Sequence, residues 1–266
     1  MTIRQAIQQA NKKLLEAKID DARFDAFCLA EKAFGLSKTQ LRLNVGQEVD
    51  ATEYFGLVAR RGAGEPLQYI LGQWEFYSLP FAVGPGALIP RPETELLVDL
   101  ALDFNAQIIV DLCAGTGCVG LSVAHHRPNV QVHLIELSDQ AMPYLKQNAA
   151  HYPNAHVYQQ DIFNYELPIT NYELILANPP YIPTCEIRQL SREVQQEPAL
   201  AQDGGPDGLD FYRGIAQHWL PRLRKNGMLA VECGEGQAAQ VVGLFGQEAE
   251  TLRDFNGIER VVVVKT

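Results

Sequence analysis

Residues 174–181 read Leu174-Ile175-Leu176-Ala177-Asn178-Pro179-Pro180-Tyr181. The first four are apolar on both faces and run into turn residues, the pattern of a short strand buried on both sides in a parallel sheet. In an open α/β sheet the ligand crevice lies just beyond the carboxyl ends of such strands, where Asn178 to Tyr181 stand. The proline after Asn178 pushes that residue toward extended geometry, and Pro179 and Pro180 have φ set by their rings. The segment is therefore stiff. Stiffness lets the Asn178 side-chain oxygen and the Pro179 carbonyl converge as two acceptors on one planar NH2 group without reorganising. Tyr181 adds a flat ring for a planar amide or base, with a hydroxyl expected to stay wet. A rigid strand exit with a buried aromatic would use the same residues, so the flanking sequence has to decide.

Upstream, Ile108-Ile109-Val110-Asp111-Leu112 leads through Cys113-Ala114-Gly115-Thr116-Gly117 into the helical stretch from Cys118 to Ala124. A buried strand, a glycine turn and a helix in this order match the first βα unit of a nucleotide-binding sheet. A second strand from Val130 to Ile135 ends at Glu136, about 20 residues on, where a carboxylate accepts from both ribose hydroxyls. A third, His156-Val157-Tyr158, leads to Asp161-Ile162-Phe163, an acid and two apolar groups able to hold an adenine ring. The window from Cys113 to Cys118 has no third glycine and no basic residue near it, so an adenosyl ligand without phosphates is expected rather than a dinucleotide. Asp111 suits a cationic amino-acid moiety such as that of S-adenosylmethionine, or the amides of its own turn.

The chain has 266 residues, enough for one large α/β domain and a small one. Its 22 basic and 32 acidic residues give a net charge of −10, unevenly placed: residues 1–70 hold 10 and 9, residues 71–266 hold 12 and 23. The part carrying the tetrapeptide is the acidic part, which argues against a large electrostatic footprint on nucleic acid. Five scattered cysteines without a CxxC indicate reduced thiols rather than a disulfide framework, and the six histidines show no ligand spacing, so no metal is expected. The N-terminus lacks the apolar core of a signal peptide and no apolar run reaches membrane-spanning length. A cytoplasmic protein without a membrane partner is expected.

From Thr2 to about Arg61 apolar residues recur at helical spacing, with breaks at Asp20-Asp21, Gly35-Leu36-Ser37 and Asn44-Val45-Gly46, giving a bundle of short helices suited to gripping a partner. Trp74 to Tyr77 and Leu79 to Val83 read as a hairpin. Ile89-Pro90-Arg91-Pro92-Glu93-Thr94-Glu95 then opens a helix running to about Phe104. The expected division is a helical recognition domain over residues 1–70, a hairpin linker over 71–90 and a catalytic domain over 91–266. Residues 182–209 form a long irregular stretch, expected to lie over the site and recognise substrate. Asp210 to Leu223 reads as a helix, Gly227 to Glu232 as a strand, Gln237 to Phe245 as a helix, and the last two strands, Ala249 to Phe255 and Ile258 to Val264, as a closing pair.

With Glu65-Pro66-Leu67-Gln68-Tyr69-Ile70, Ile89 to Glu95, Asp111 to Gly117 and Asn178 to Tyr181 in this order, the chain resembles the bacterial protein-(glutamine-N5) methyltransferases of the HemK/PrmC type. The resemblance runs from about residue 65 to the end. It implies a class I methyltransferase fold, a Rossmann-like, seven-stranded, mostly parallel α/β sheet with an antiparallel edge, behind a small all-α N-terminal domain. It implies S-adenosylmethionine as methyl donor, S-adenosylhomocysteine as product, and the Gly-Gly-Gln glutamine of class I peptide chain release factors as acceptor. A monomer without direct nucleic-acid contact is expected. By motif matching, Asp111, Cys113, Ala114, Gly115, Thr116, Gly117, Glu136, Asp161, Ile162 and Asn178 line the cofactor site. Asn178, Pro179, Pro180 and Tyr181 hold the glutamine, with Asn178, Pro179 and Tyr181 catalytic. Cys113 and Ala114 stand where family members often have glycine and threonine, and Ile162 where some carry an aromatic. Leu88 and Pro90 are expected to wall the pocket. The competing readings are methylation of a ribosomal-protein glutamine, DNA adenine methylation, and a binding module without turnover.

Overall fold

Alternation along the buried strands sends successive side chains to opposite faces, and both faces must then be covered. In the computed structural model, which describes residues 1–164, 171–246 and 248–266, they are. Ile109, Leu174, Leu176, Met228 and Ala230 enter one apolar core; Val110, Leu112, Ile175, Ala177, Leu229 and Val231 enter another on the opposite face.

The strands are a hairpin of β1 (Gln73–Phe76) and β2 (Leu79–Ala82), then β3 (Ile108–Leu112), β4 (Gln131–Glu136), β5 (Ala155–Gln159), β6 (Tyr172–Ala177), β7 (Leu223–Glu232), β8 (Ala249–Arg253) and β9 (Glu259–Lys265). The last seven form one sheet in the order β5-β4-β3-β6-β7-β9-β8. β3 pairs in parallel with β4 and β6, and β6 with β7, whereas β9 pairs antiparallel with β7 and β8. The expected antiparallel edge is present. The order reverses at β3, so the crevice opens beyond the ends of β3, β4 and β6.

The helices of this part are α6 (Glu95–Asp103), α7 (Cys118–His126), α8 (Met142–Ala149), α9 (Asp210–His218) and α10 (Ala238–Phe245). α6, α7 and α8 supply Leu97, Leu121 and Leu145 to the first core; α9 and α10 supply Ile215 and Val241 to the second. α8 had no sequence expectation: it is short, and Pro143 resembles a breaker although its place in the first turn is one a helix tolerates. The helix expected to run to Leu223 stops at His218, because Pro221 cannot continue the ladder and a 3-10 turn, Leu220–Arg222, follows. β7 begins earlier than Gly227, but its pairing jumps from Leu223 opposite Tyr172 to Met228 opposite Leu174, so residues 224–227 bulge from the sheet.

The chain divides into two units, Met1–Gln73 with Ser191–Gln196, and Trp74–Leu190 with Glu197–Thr266. The first contains α1 (Ile3–Glu16), α2 (Ala22–Phe34), α3 (Lys38–Leu43), α4 (Thr52–Gly62) and α5 (Leu67–Leu71). Thr2 with Gln5 and Ser37 with Gln40 close capping boxes, while Gly35 ends α2 in the left-handed conformation. Buried Arg61 bonds Asp25 and Glu193, both at 2.6 Å, so an ion-paired core joins α2, α4 and the segment around Glu193 within this unit.

The irregular stretch over residues 182–209 contains three 3-10 turns, Ile187–Gln189, Val194–Gln196 and Ala199–Ala201. It returns to its own start, where the Ile182 amide donates to the Gln202 carbonyl at 2.9 Å and the Gly204 amide to the Ile182 carbonyl at 2.9 Å. Among the described residues no helix is long and apolar enough to cross a membrane.

Candidate active site

Beyond the carboxyl ends of β3, β4 and β6 lies an open cavity. Its lining includes Asp111, Cys113, Ala114, Gly115 and Thr116 after β3, Glu136 after β4, Asp161 and Ile162 after β5, and Asn178 and Pro180 after β6. Of the expected cofactor residues, only Gly117 stands off the wall. Gly117 has φ +81 and a Cβ there would lie 2.6 Å from Leu145 Cδ1, so it packs the turn against the core. Gly115, with φ +56, faces the wall, and a Cβ there would meet no protein atom within 4 Å. The space it leaves open belongs to the cavity.

Gly120, one residue past the window read above, completes a Gly-x-Gly-x-x-Gly spacing from Gly115, so the glycine pattern alone does not argue against a dinucleotide. The structure gives it a packing role. A Cβ there would lie 2.8 Å from Leu134 Cδ2, and its amide donates to Asp111 Oδ2 at 2.8 Å. The chemistry of the wall carries the distinction instead: three carboxylates face the cavity, and its one guanidinium, Arg91, is engaged by Glu197. That is a poor site for a pyrophosphate and a good one for a cation.

Each acid is held by backbone. Glu136 accepts from the Gly115 amide through Oε2 and the Ser138 amide through Oε1, both at 2.7 Å. A carboxylate has about four lone-pair sites, so each oxygen can still take one ribose hydroxyl. Asp161 Oδ1 accepts from the Phe163 amide at 2.9 Å. Asp111 is buried, and burial pushes its carboxyl up to about 7, opposed by the Gly120 amide and reinforced by Glu136. Both functions considered for Asp111 are therefore compatible with its place: it braces the turn and it faces the cavity. Burial also pushes the Cys113 thiol well up, and Cys113 sits at φ +56, a conformation that favours glycine.

The tetrapeptide is divided by its own geometry. Asn178 and Pro180 line the cavity, whereas Pro179 and Tyr181 do not. The Tyr181 ring packs against the second core and burial pushes its hydroxyl up, so the wet hydroxyl expected from the sequence is a desolvated one. Its carbonyl accepts from Gln237 Nε2 at 2.8 Å, which anchors the exit of the strand. Asn178 Nδ2 donates to Thr94 Oγ1 at 3.1 Å. Thr94 is buried and lines the cavity.

Leu88 and Pro90 lie on the wall as expected. Pro198, Leu200 and Phe211 also line it and were not legible as site residues. They come from irregular sequence and from the start of α9, and the Arg91 to Glu197 ion pair that brings the first two near has no local signature.

This crevice, at the order reversal of a seven-stranded sheet with an antiparallel edge, is that of a methyltransferase, and the protein is an enzyme of that class. Residues 92–197 match the methyltransferase small domain family and residues 5–72 the PrmC N-terminal domain family. The release factor glutamine methyltransferase of Geobacter sulfurreducens is 39% identical over 98% of this chain and 95% of its own, and that of Moorella thermoacetica 36% identical over 98% and 97%. The chain belongs to the release factor glutamine methyltransferase family. The solved catalytic domain of hMettl16, in complex with a MAT2A 3′UTR hairpin, shares the fold with a TM-score of 0.56 at 15% identity, over 78% of this chain and 81% of that one.

Proposed function

We propose that this protein transfers a methyl group from S-adenosylmethionine to the side-chain nitrogen N5 of the glutamine in the Gly-Gly-Gln motif of class I peptide chain release factors, and so modulates translation termination. The observation that carries the reading is one wall: the cation-suited acids after β3, β4 and β5 share a cavity with Asn178 and Pro180 after β6. Family membership favours a release factor over a ribosomal protein or DNA. The protein acts in the cytoplasm as a monomer, with the helical domain over residues 1–70 gripping the protein substrate.

The residues present fit S-adenosylmethionine. Glu136 would take the ribose hydroxyls, Asp161 and Ile162 the adenine, and Asp111 the ammonium, while Gly115 leaves room for the chain between them. When bound, the donor supplies a methyl group on a sulfonium, whose carbon–sulfur bond breaks with the electron pair kept by sulfur as the new carbon–nitrogen bond forms.

An amide nitrogen is a poor nucleophile because its lone pair is delocalised into the carbonyl. Acceptance of both N–H bonds, by Asn178 Oδ1 on the cavity wall and by the Pro179 carbonyl just outside it, holds that nitrogen in line and favours the pyramidal, positively charged transition state. The extra proton then leaves to solvent, and no general base is needed beforehand. A glutamate in the same place would set its oxygens against those acceptors and be rejected. The test is mass spectrometry of purified release factors, ribosomal proteins and DNA after incubation with the enzyme and labelled S-adenosylmethionine, with Asn178→Ala alongside. One methyl on the Gly-Gly-Gln glutamine, lost with Asn178→Ala, is expected; label on a different macromolecule would overturn the substrate.

A further inference from the structure

We propose that Gln237 and the glycine turn over residues 204–208 form a clasp on the Tyr181 carbonyl that aims the two acceptors, Asn178 Oδ1 and the Pro179 carbonyl. Gln237 is thereby a positioning residue for the methyl-accepting amide. The inference rests on the amide-acceptor reading above.

A stiff tetrapeptide is not yet an aimed one. The proline rings set φ at residues 179 and 180 but leave ψ free, and ψ of Pro179 is the torsion that swings its carbonyl. Neither proline has an amide hydrogen with which to join a ladder. The direction of both acceptors is therefore decided at the two ends of the segment. The upstream end is set by the sheet, where Ala177 pairs with Leu112 and Val231.

The downstream end is set by Gln237. Its Oε1 accepts from the Gly234 amide at 3.0 Å, and its Nε2 donates to the Tyr181 carbonyl at 2.8 Å. A backbone amide only donates and a backbone carbonyl only accepts, so both ends of the Gln237 side chain are assigned by their partners. The side chain also starts from a fixed point: Gln237 is the N-cap of α10, and its own amide donates to the Gly234 carbonyl at 3.1 Å.

The glycine turn closes on the same carbonyl. A Cβ at Gly208 would lie 2.3 Å from the Tyr181 oxygen and 2.6 Å from Gln237 Nε2, and one at Gly204 would lie 2.8 Å from Tyr181 Cα. Backbone bonds hold this approach, from the Gly204 amide to the Ile182 carbonyl and from the Thr184 amide to the Gly205 carbonyl, both at 2.9 Å. Asp203 Oδ1 adds a tie, accepting from the Thr184 hydroxyl at 2.6 Å and the Gly205 amide at 3.0 Å. Neither Gln237 nor any residue from Asp203 to Gly208 lines the cavity, so they reach the chemistry through Tyr181.

The experiment uses the full-length enzyme, labelled S-adenosylmethionine and a Gly-Gly-Gln release factor. Gln237→Glu keeps an acceptor for the Gly234 amide and sets an oxygen where the donor to Tyr181 was. It is expected to lower kcat about 100-fold, as a displacement of about 1 Å at the reacting groups does. KM for the release factor and the affinity for S-adenosylhomocysteine, measured by calorimetry, should change little. Gly208→Ala, whose methyl meets the Tyr181 oxygen, should show the same split. Gly236→Ala is the control: its φ of +79 resembles the +75 of Gly208, but a Cβ there meets nothing within 4 Å. It carries the backbone strain without touching the clasp, and should lose thermal stability while keeping kcat.

Wild-type kcat in Gln237→Glu or Gly208→Ala, or an equal kcat loss in Gly236→Ala, would overturn the clasp. Wild type alone supplies a further readout, because the Gln237 side-chain NH2 should exchange slowly with solvent; free exchange would overturn the clasp whatever the variants do. If the label appears on a macromolecule other than a release factor, the substrate reading fails, and kcat of the same variants on that macromolecule decides the clasp.

Discussion

Glu197 accepts hydrogen bonds from the Arg91 guanidinium and, at 3.0 Å, from the Ile89 amide, so one carboxylate clamps two segments 106 and 108 residues apart. The clamp sets Pro198 and Leu200 beside Ile89 and Arg91 on the cavity wall. Its two ends are unequally buried, with the Glu197 side chain 2% and the Arg91 side chain 33% exposed. Removing one partner costs most when the charge left behind is the buried one. Arg91→Ala should therefore lose about 3 kcal/mol of stability, and Glu197→Ala only about 1 kcal/mol beyond its lost packing. Urea denaturation of both variants checks the order; equal losses would show that the clamp contributes little. Both should also weaken S-adenosylmethionine binding, measured by calorimetry.

Cys113 holds a left-handed conformation, φ +56, at the start of the glycine turn. A residue with a Cβ is disfavoured there by roughly 1–2 kcal/mol relative to glycine, while glycine gives back roughly 0.4–1 kcal/mol through its freer unfolded chain. Cys113→Gly should thus stabilise the protein slightly, by about 0.5 kcal/mol. A rise in Tm is expected; a fall would mean that the half-buried thiol's packing outweighs the backbone strain.

Asp111 predicts two pH slopes of opposite sign. Its folded carboxyl is pushed up to about 7 from an ordinary 3.8. A raised acid favours the fold when protonated, so its stabilising share is full below the unfolded value and is lost as pH rises through about 7. Glu232, also pushed up to about 7 by burial, adds a slope of the same sign. Without ligand the protein should lose on the order of 5 kcal/mol between pH 5 and pH 8 from these two groups. Binding of a cationic donor needs Asp111 ionised, so affinity for S-adenosylmethionine should rise, up to about tenfold per pH unit, between pH 5.5 and 7. Asp111→Asn should flatten the affinity slope and cut the stability slope to the share of Glu232. Calorimetric titration and thermal melts across this range check them; an affinity independent of pH would remove Asp111 from the ammonium.

In the helical unit, Arg61 is buried between Asp25 and Glu193. Asp25→Ala strands a guanidinium that keeps the half-exposed Glu193 and the Glu65 carbonyl but loses its buried counter-ion, and should cost about 3 kcal/mol. The double change Asp25→Ala with Arg61→Met should recover much of that loss, because the desolvated charge goes with its partner. Helix unfolding followed by circular dichroism measures both. If the double variant is no better than the single one, the ion pair is not what holds Arg61 in place.

Most of what makes this chain a methyltransferase is local and was legible. Leu174 to Ala177 reads as a doubly buried strand from four residues, and the glycine turn, Glu136 and Asp161 each follow a strand that hydrophobic patterning reveals by itself. A strand's period and the end of an apolar run are properties of neighbours in sequence, so reading them needs no fold. Thr94 carries no such mark. Its partner Asn178 lies 84 positions away, and the bond between them exists because the end of β6 and the opening of α6 reach the same crevice. Glu197 looked like loop and proved a clamp; Tyr181 looked like a wet ring at the cavity and proved part of the core wall. Sequence by itself determined the strands, the turn and the donors and acceptors available to the site. Only the tertiary structure decided which of them meet, because hydrogen bonds across the sheet depend on register and burial, which no stretch of neighbouring residues encodes.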